Sequence, residues 1–249
     1  MKELLRIIKE KEPNLLYLVL TGSRAYGIHN NDSDYDYRGV FLNTPIELFG
    51  LEIRNSQEYE GDVVLHSLKE ICKLALNANP NVLELLFLPS KYILFCHPLF
   101  KKLLDNRNFF LSQKVKYSYA GYAYSQLQRS KHKSTHGTLR DKYIAGSIND
   151  PYDSKFAGHT IRLLINGKEL LTKGTLSPEL SGDDLYLVKS IREGKYFESS
   201  SHFYSFATKL ISEFDKLILE TKLPKTPDIN NVNRLLIQFH TKYYKGLLT

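Results

Sequence analysis

Leu15-Leu16-Tyr17-Leu18-Val19-Leu20-Thr21-Gly22-Ser23-Arg24-Ala25-Tyr26-Gly27 opens with an apolar run, closed off by Pro13 on one side and by a Gly-Ser pair on the other. A short apolar run bounded by breakers is the pattern of a buried strand. Glycine followed by serine at the strand's end lets the backbone turn sharply into a helix, whose unpaired N–H groups and positive dipole end hold phosphate oxygens. Gly22 and Ser23 are therefore candidate triphosphate ligands, with the Ser23 hydroxyl as an extra donor and Arg24 as added charge.

Further on, after the turn-rich His29-Asn30-Asn31-Asp32, stands Ser33-Asp34-Tyr35-Asp36-Tyr37-Arg38-Gly39-Val40, which predicts a second strand over 35–42. Alternate residues of a strand share a face, so Asp34 and Asp36 project together, away from Tyr35 and Tyr37. Two carboxylates this close repel each other unless a cation sits between them. Hard oxygen ligands suit magnesium, with manganese as a substitute, completed by substrate phosphates and water. Such a site activates an attacking hydroxyl and offsets the charge developing on a leaving pyrophosphate. A third carboxylate is wanted beside the pair. Asp62, opening Asp62-Val63-Val64-Leu65, is the first candidate, and Glu58 and Glu60 compete with it. Asp-Tyr-Asp alone reads sooner as a turn followed by the solvated edge of a strand than as a metal site; the preceding Gly-Ser turn reverses that preference.

Working outward, Leu4, Leu5, Ile7 and Ile8 have helical spacing up to Pro13, and a third strand is expected over 62–66. Residues 68–87 read as helix with a break at Asn79-Pro80, and 89–95 as a last short strand. Beyond residue 100 nearly every segment reads helical: 115–127, 154–171 and 204–219. The linker Leu223-Pro224-Lys225-Thr226-Pro227-Asp228 precedes a final helix carrying Val232, Leu235, Leu236, Ile237 and Phe239.

Lys155, His159 and Arg162 stand at i, i+4 and i+7, one face of a helix. That face holds phosphates or is simply solvated. Glu84, inside the apolar Val82-Leu83-Glu84-Leu85-Leu86-Phe87, needs a partner, for which Arg38 is a candidate. The basic segment 128–137 either guides a nucleic-acid strand or is a solvated loop. Tyr117, Tyr119, Tyr122 and Tyr124 either pack or stack bases.

With 249 residues the chain can bury a substantial core, and its net charge of +7 favours polyanions. No apolar run approaches a membrane span and no signal-peptide core opens the chain, so a cytoplasmic location is expected. Cys72 and Cys96 lie in no zinc-ligand spacing and read as core or near-core thiols. A Walker-type loop is missing, and no Ser or Cys has a partnering His and Asp, which excludes P-loop and triad chemistry.

Gly22 to Gly27, Ser33 to Val40 and Asn79-Pro80-Asn81-Val82-Leu83-Glu84-Leu85-Leu86-Phe87 together resemble the predicted nucleotidyltransferase family of the DNA polymerase β superfamily that is linked to RNA repair, found in bacteria and their phages. Lys155-Phe156-Ala157-Gly158-His159-Thr160-Ile161-Arg162-Leu163-Leu164 and Gly167-Lys168-Glu169-Leu170-Leu171 extend the resemblance to most of 20–175. Asn30-Asn31-Asp32 stands where a proline is frequent in the family, and the segment 56–61 matches loosely.

The resemblance implies an α+β fold: a mixed sheet with flanking helices in a catalytic domain over 1–110, and a C-terminal helical domain over 111–249 closing the cleft. It implies metal-dependent transfer of an NMP from a nucleoside triphosphate, ATP included, to an acceptor hydroxyl. Asp34, Asp36 and Asp62 would serve metal and chemistry; Gly22, Ser23, Arg24, Lys155, His159 and Arg162 would hold the nucleotide. The acceptor is open among an RNA or tRNA end, a protein hydroxyl and a small molecule. Alternatives are a nucleotide-sequestering protein or a protein-nucleotidylating, antitoxin-like factor in phage–host conflict.

Overall fold

The computed structural model describes residues 2–51, 53–131 and 143–245, and the chain folds as two compact units. The first runs to Leu111 and takes in the chain again from Thr226; the second is Ser112–Lys225.

The first unit is built on a five-stranded sheet of order β3-β4-β2-β1-β5. Its strands are β1 (Leu15–Leu20), β2 (Tyr37–Phe41), β3 (Ser56–Tyr59), β4 (Val63–Ser67) and β5 (Ile93–Cys96). The sheet is mixed: β2 lies antiparallel to β1 and parallel to β4. β1 is apolar throughout because both its faces are covered. On one face α1 (Lys2–Lys11) sets Ile8 against Leu18, Tyr37, Phe41, Val63 and Leu65. Tyr17 points the other way, stacks on Phe100 of α6 (Pro98–Asp105) at 4.6 Å between centroids, and donates to Leu85 O of α5 (Pro80–Phe87) at 3.3 Å.

The break expected at Asn79-Pro80 is a helix boundary. α4 (Leu68–Leu76) is capped by Ser67 and α5 by Asn79, whose Oδ1 accepts from Val82 N, with Pro80 in the first turn, where its missing N–H costs nothing. A single-turn helix, α2 (Gly22–Ala25), follows β1, and α3 (Pro45–Phe49) follows β2.

The second unit is helical as expected, with α7 (Lys114–Lys131), α8 (Ser154–Lys173), α9 (Gly182–Arg192) and α10 (Ser200–Glu220). It also contains an antiparallel hairpin the sequence reading omits, β6 (Ile144–Ser147) and β7 (Asp150–Asp153). Four-residue strands containing glycine and proline carry too little alternation to be read locally.

A division at 110/111 that assigns everything after it to one helical domain does not describe the contacts. α11 (Ile229–Lys245) packs on the first unit, burying Val232 and Phe239. Asp228 N donates to Phe109 O at 2.8 Å, Tyr243 Oη to Asn14 Oδ1 at 2.6 Å, and Tyr244 Oη to Asn43 O. The prolines at 224 and 227 stop the preceding helical pattern and let the chain turn back.

The α+β class holds, and among the described residues no helix is long and apolar enough to cross a membrane. Cys72 is buried, Cys96 half-buried, and both are free.

Candidate active site

Strand pairing brings three separate pieces of sequence to one edge of the sheet. β1 runs antiparallel to β2 with Leu20 opposite Tyr37, and β2 runs parallel to β4 with Tyr37 opposite Val63. The residue after Leu20 and the residues before Tyr37 and Val63 therefore meet. Thr21 N donates to Asp36 O at 2.8 Å, and Tyr37 N to Asp62 O at 3.0 Å, extending both ladders by one residue.

Gly22 has φ +68°, in the left-handed region, and a side chain there would collide with the Asp36 carboxylate. The glycine is needed twice over, for backbone conformation and for close approach. Thr21, the residue capping α2, makes no side-chain cap bond, and its hydroxyl turns to Asp36 O at 3.4 Å. No capping side chain covers the first-turn amides of Gly22 and Ser23, as an anion cradle requires.

Asp34 and Asp36 differ in setting. β2 begins only at Tyr37, so the expected alternation over 35–42 starts two residues late: Asp34 is exposed, Asp36 half-buried, Tyr37 buried in the core and Tyr35 exposed. Among the described residues neither carboxylate has a hydrogen bond or an ion pair. A donor set of two unneutralised carboxylates beside a phosphate-type turn fits a hard cation completed by substrate oxygens.

Asp62 sits at the same edge, exposed, in the turn before β4 with φ +55°. Among the described residues no three His, Cys, Asp or Glu side chains form a metal-holding group, so Asp34, Asp36 and Asp62 are not gathered into one. Glu58 is on edge strand β3 and exposed.

Arg24 is committed to the chain itself. Its Nη2 donates to Ser33 O at 2.8 Å, its Nε to Ser33 O and Asp34 O at 3.2 and 3.3 Å, and its guanidinium lies 3.8 Å over the Tyr35 ring. It clamps the segment that presents the two aspartates. Arg38 donates to Tyr37 O at 2.9 Å and Asp62 O at 3.3 Å, which ties the start of β2 to the turn before β4; these bonds, and not Glu84, are what its guanidinium makes, while Glu84 is buried in α5.

The remaining site residues lie in the second unit, on α8. Lys155 is exposed, His159 half-buried and Arg162 fully buried, so they do not form one solvated face. His159 Nδ1 stands 3.2 Å from Arg162 Nη2; arginine only donates, so this nitrogen accepts and the ring proton is on Nε2. Burial, then Arg162, Arg192, Arg129 and Lys155, push the imidazole down to about 3. His159 is neutral, an orienting acceptor and not a third cation.

Two further charges complete this cluster, Arg129 from the segment read as a basic guide or a solvated loop, and Arg192, which the sequence reading did not single out. Arg129 comes from α7 and Arg192 from the end of α9, and both act on His159 electrostatically. Gly158 makes room for Arg192, whose Cγ a side chain there would strike. Nothing in the spacing of α7 or α9 marks them, because the cluster forms only when three helices pack. Of the tyrosines on α7, Tyr119 is buried and Tyr117, Tyr122 and Tyr124 are exposed. The basic segment 128–137 falls outside the described residues from 132 onward.

A family model described as the RNA repair pathway DNA polymerase beta family, RlaP, matches residues 1–238. The chain belongs to this family. RlaP membership covers both units, including α11 up to Gln238. Among solved structures, a nucleotidyltransferase-like protein from Exiguobacterium sibiricum is similar at 12% identity and a TM-score of 0.29, over 86% of this chain and 73% of that one. A comparison with curated proteins found no match. This RlaP chain is of the DNA polymerase beta type by family, and it carries its Gly-Ser turn and Asp-x-Asp on the sheet edge where β1, β2 and β4 meet.

Proposed function

We propose that this chain moves a nucleoside monophosphate from a nucleoside triphosphate to an acceptor hydroxyl, with an RNA end as acceptor. The observation that carries this is the Asp36 carboxylate set against Gly22, beside Asp34, with neither acid neutralised by the protein. Asp34 and Asp36 would hold magnesium or manganese, whose chemistry here is to lower the pKa of the attacking hydroxyl and offset charge on the phosphates.

The chain's own residues do the rest. Amides of Gly22 and Ser23, with the Ser23 hydroxyl, bind phosphate oxygens. Arg24 orients the aspartates by gripping Ser33 and Asp34 carbonyls. On the second unit, Lys155, Arg162, Arg192 and Arg129 form a positively charged cluster of the kind that attracts polyanions, with His159 accepting from Arg162. The acceptor oxygen bonds to the α-phosphorus, the bond to the β-phosphate bridging oxygen breaks, and pyrophosphate leaves. The acceptor's proton would pass to Asp62, the acid in the turn before β4, whose backbone carbonyl accepts from Tyr37 N.

The family's description as an RNA repair group, and the chain's net charge of +7, support an RNA acceptor. A second reading, nucleotide binding without transfer, is favoured by one observation: Asp62 does not join the other two acids in a three-ligand group. The test is incubation of wild type and the Asp34→Ala, Asp36→Ala chain with magnesium, each labelled triphosphate, and total RNA or cell extract. Label and pyrophosphate from wild type alone support transfer. Tight nucleotide binding with no pyrophosphate under any acceptor leaves the second reading.

A further inference from the structure

The connection from β2 to β3 reverses the usual arrangement of a surface loop, with polar groups turned inward and apolar ones outward. Thr44 and Glu47 close a capping box at the start of α3: Thr44 N donates to Glu47 Oε2 at 2.7 Å, and Glu47 N to Thr44 Oγ1 at 3.4 Å. The other oxygen of Glu47 accepts from Arg54 Nε at 2.7 Å, while Arg54 Nη1 donates to Oε2 of the buried Glu12 at 2.5 Å. Asn43 Nδ2 donates to Arg54 O at 2.8 Å, which pins the two ends of the loop together, and the Arg54 guanidinium lies 4.0 Å over the Phe41 ring.

What this staple holds outward is apolar. Ile46 is 78% exposed, Phe49 85%, Leu51 fully and Ile53 57%. Ile46 and Phe49 stand at i and i+3, on one face of α3. A Cβ at Gly50 would strike Ile46 O, and the Gly50 N–H donates to that oxygen at 2.8 Å, so the stretch carrying Leu51 and Ile53 leaves from beside Ile46. The fold gains almost nothing from residues this bare, and a loop pinned at both ends presents them with little left to order on binding.

Charge and area select the occupant. By sequence, residues 45–54 hold Glu47, Glu52 and Arg54 and no other charge, and Arg54 is paired with two acids. Without a free cation the patch offers nothing to a nucleic acid or to an anionic lipid surface. The chain as a whole carries +7 and repels its own copies, but across this loop two copies meet with no cation facing a cation. Four side chains this exposed amount to about 600 Å² of apolar surface, the upper end for the largest patch on a monomer. Two such patches face to face remove on the order of 1,200 Å² from water, enough for a specific interface. The edge strand β3 is a poorer meeting place, because exposed Glu58 guards it against an added strand. The patch follows β2 and Asp36 precedes it, so the strand puts roughly 15 Å between them and keeps the acids clear of the contact.

We infer that this chain forms a two-fold homodimer through the β2–β3 loop, with Ile46, Phe49, Leu51 and Ile53 of one copy packing on the same residues of the other. No step of nucleotide transfer depends on it.

The test is sedimentation velocity of the full chain over a concentration series. Wild type at about 100 µM, well above the micromolar dissociation constant of an interface this small, sediments with twice the 28.8 kDa mass of one chain. The Phe49→Glu, Leu51→Glu chain and the Phe49→Lys, Leu51→Lys chain are each monomeric there, with wild-type circular dichroism, because exposed positions tolerate such changes. An equal mixture of the two returns to the mass of a pair, which only a patch meeting itself gives. Phe49→Ser, Leu51→Ser weakens association at least about tenfold without adding charge, and it carries the test if a charged chain fails to fold. A wild-type monomer at that concentration overturns the dimer and leaves the patch to a different protein. Pairing that persists in the serine chain, or charged chains that stay apart when mixed while wild type pairs, overturns this contact.

Discussion

Gly22 and Asp36 are in direct contact across the β1–β2 pair: the glycine's Cα, at φ +68°, faces the carboxylate with no room for a side chain. The phosphate-type turn and the second acid of Asp-x-Asp are thus one structural unit. Gly22→Ala should destabilise the first unit by about 1–3 kcal/mol, from backbone strain and collision together, and abolish nucleotide transfer. A thermal melt alongside a pyrophosphate assay checks both; an active, fully stable alanine chain would contradict the contact.

Removing an acid, in contrast, should leave stability almost unchanged. Asp34→Asn and Asp36→Asn take away carboxylates that no protein group neutralises, so each should change stability within about 0.5 kcal/mol. Magnesium with a triphosphate should raise the wild-type melting temperature by linkage and leave the double variant unmoved, and a chelator should reverse the shift.

Arg24 should behave as a positioning residue. Its guanidinium holds Ser33 O and Asp34 O and stacks on Tyr35, a planar arrangement that an ammonium cannot copy. Arg24→Lys and Arg24→Met should therefore lower kcat to similar extents, about tenfold or more. Were Arg24 a phosphate ligand only, lysine would restore activity and the loss in methionine would appear in KM.

His159 makes stability depend on pH in a defined direction. Above its ordinary value of 6.5 the ring is neutral in both folded and unfolded chains and contributes no pH dependence. As pH falls below that, the unfolded chain takes up a proton that burial and the neighbouring cations deny to the folded one, so stability drops. The loss runs until about 3, where the folded chain is protonated too. His159→Asn should make this acid limb shallower than in wild type, as read by urea unfolding at a series of pH values. His66, His97 and His240 are also held down, with burial the first cause in each, and they leave the variant a residual slope.

The last helix should matter to the first unit. Phe239, 1% exposed, packs α11 there, and Phe239→Ala should cost about 3–5 kcal/mol through lost burial and the cavity left behind. Urea unfolding followed by nucleotide binding would show the effect.

By itself the sequence determined the local devices of this fold. The apolar run 15–20, the Gly-Ser turn, the Asn79-Pro80 helix start and the long helical patterns each depend on neighbours within a few residues, where burial, breakers and caps leave a readable period. The resemblance carried by those motifs also led to the family.

Tertiary structure decided what those devices meet. Whether α11 packs on one unit or the other leaves no mark on its own periodicity, since any apolar groove of the right shape satisfies the same face. Arg24 and Arg38 look alike as free cations, yet main-chain carbonyls occupy both, those of the loop before β2 for Arg24 and those at the starts of β2 and β4 for Arg38. His159 was read as a charge because spacing gives position and not dielectric; burial beside Arg162, Arg192, Arg129 and Lys155 makes it neutral. Arg192 joins the cluster only because Gly158 lets α9 approach α8. Such effects depend on residues far apart in the chain sharing one desolvated volume, which no local pattern encodes.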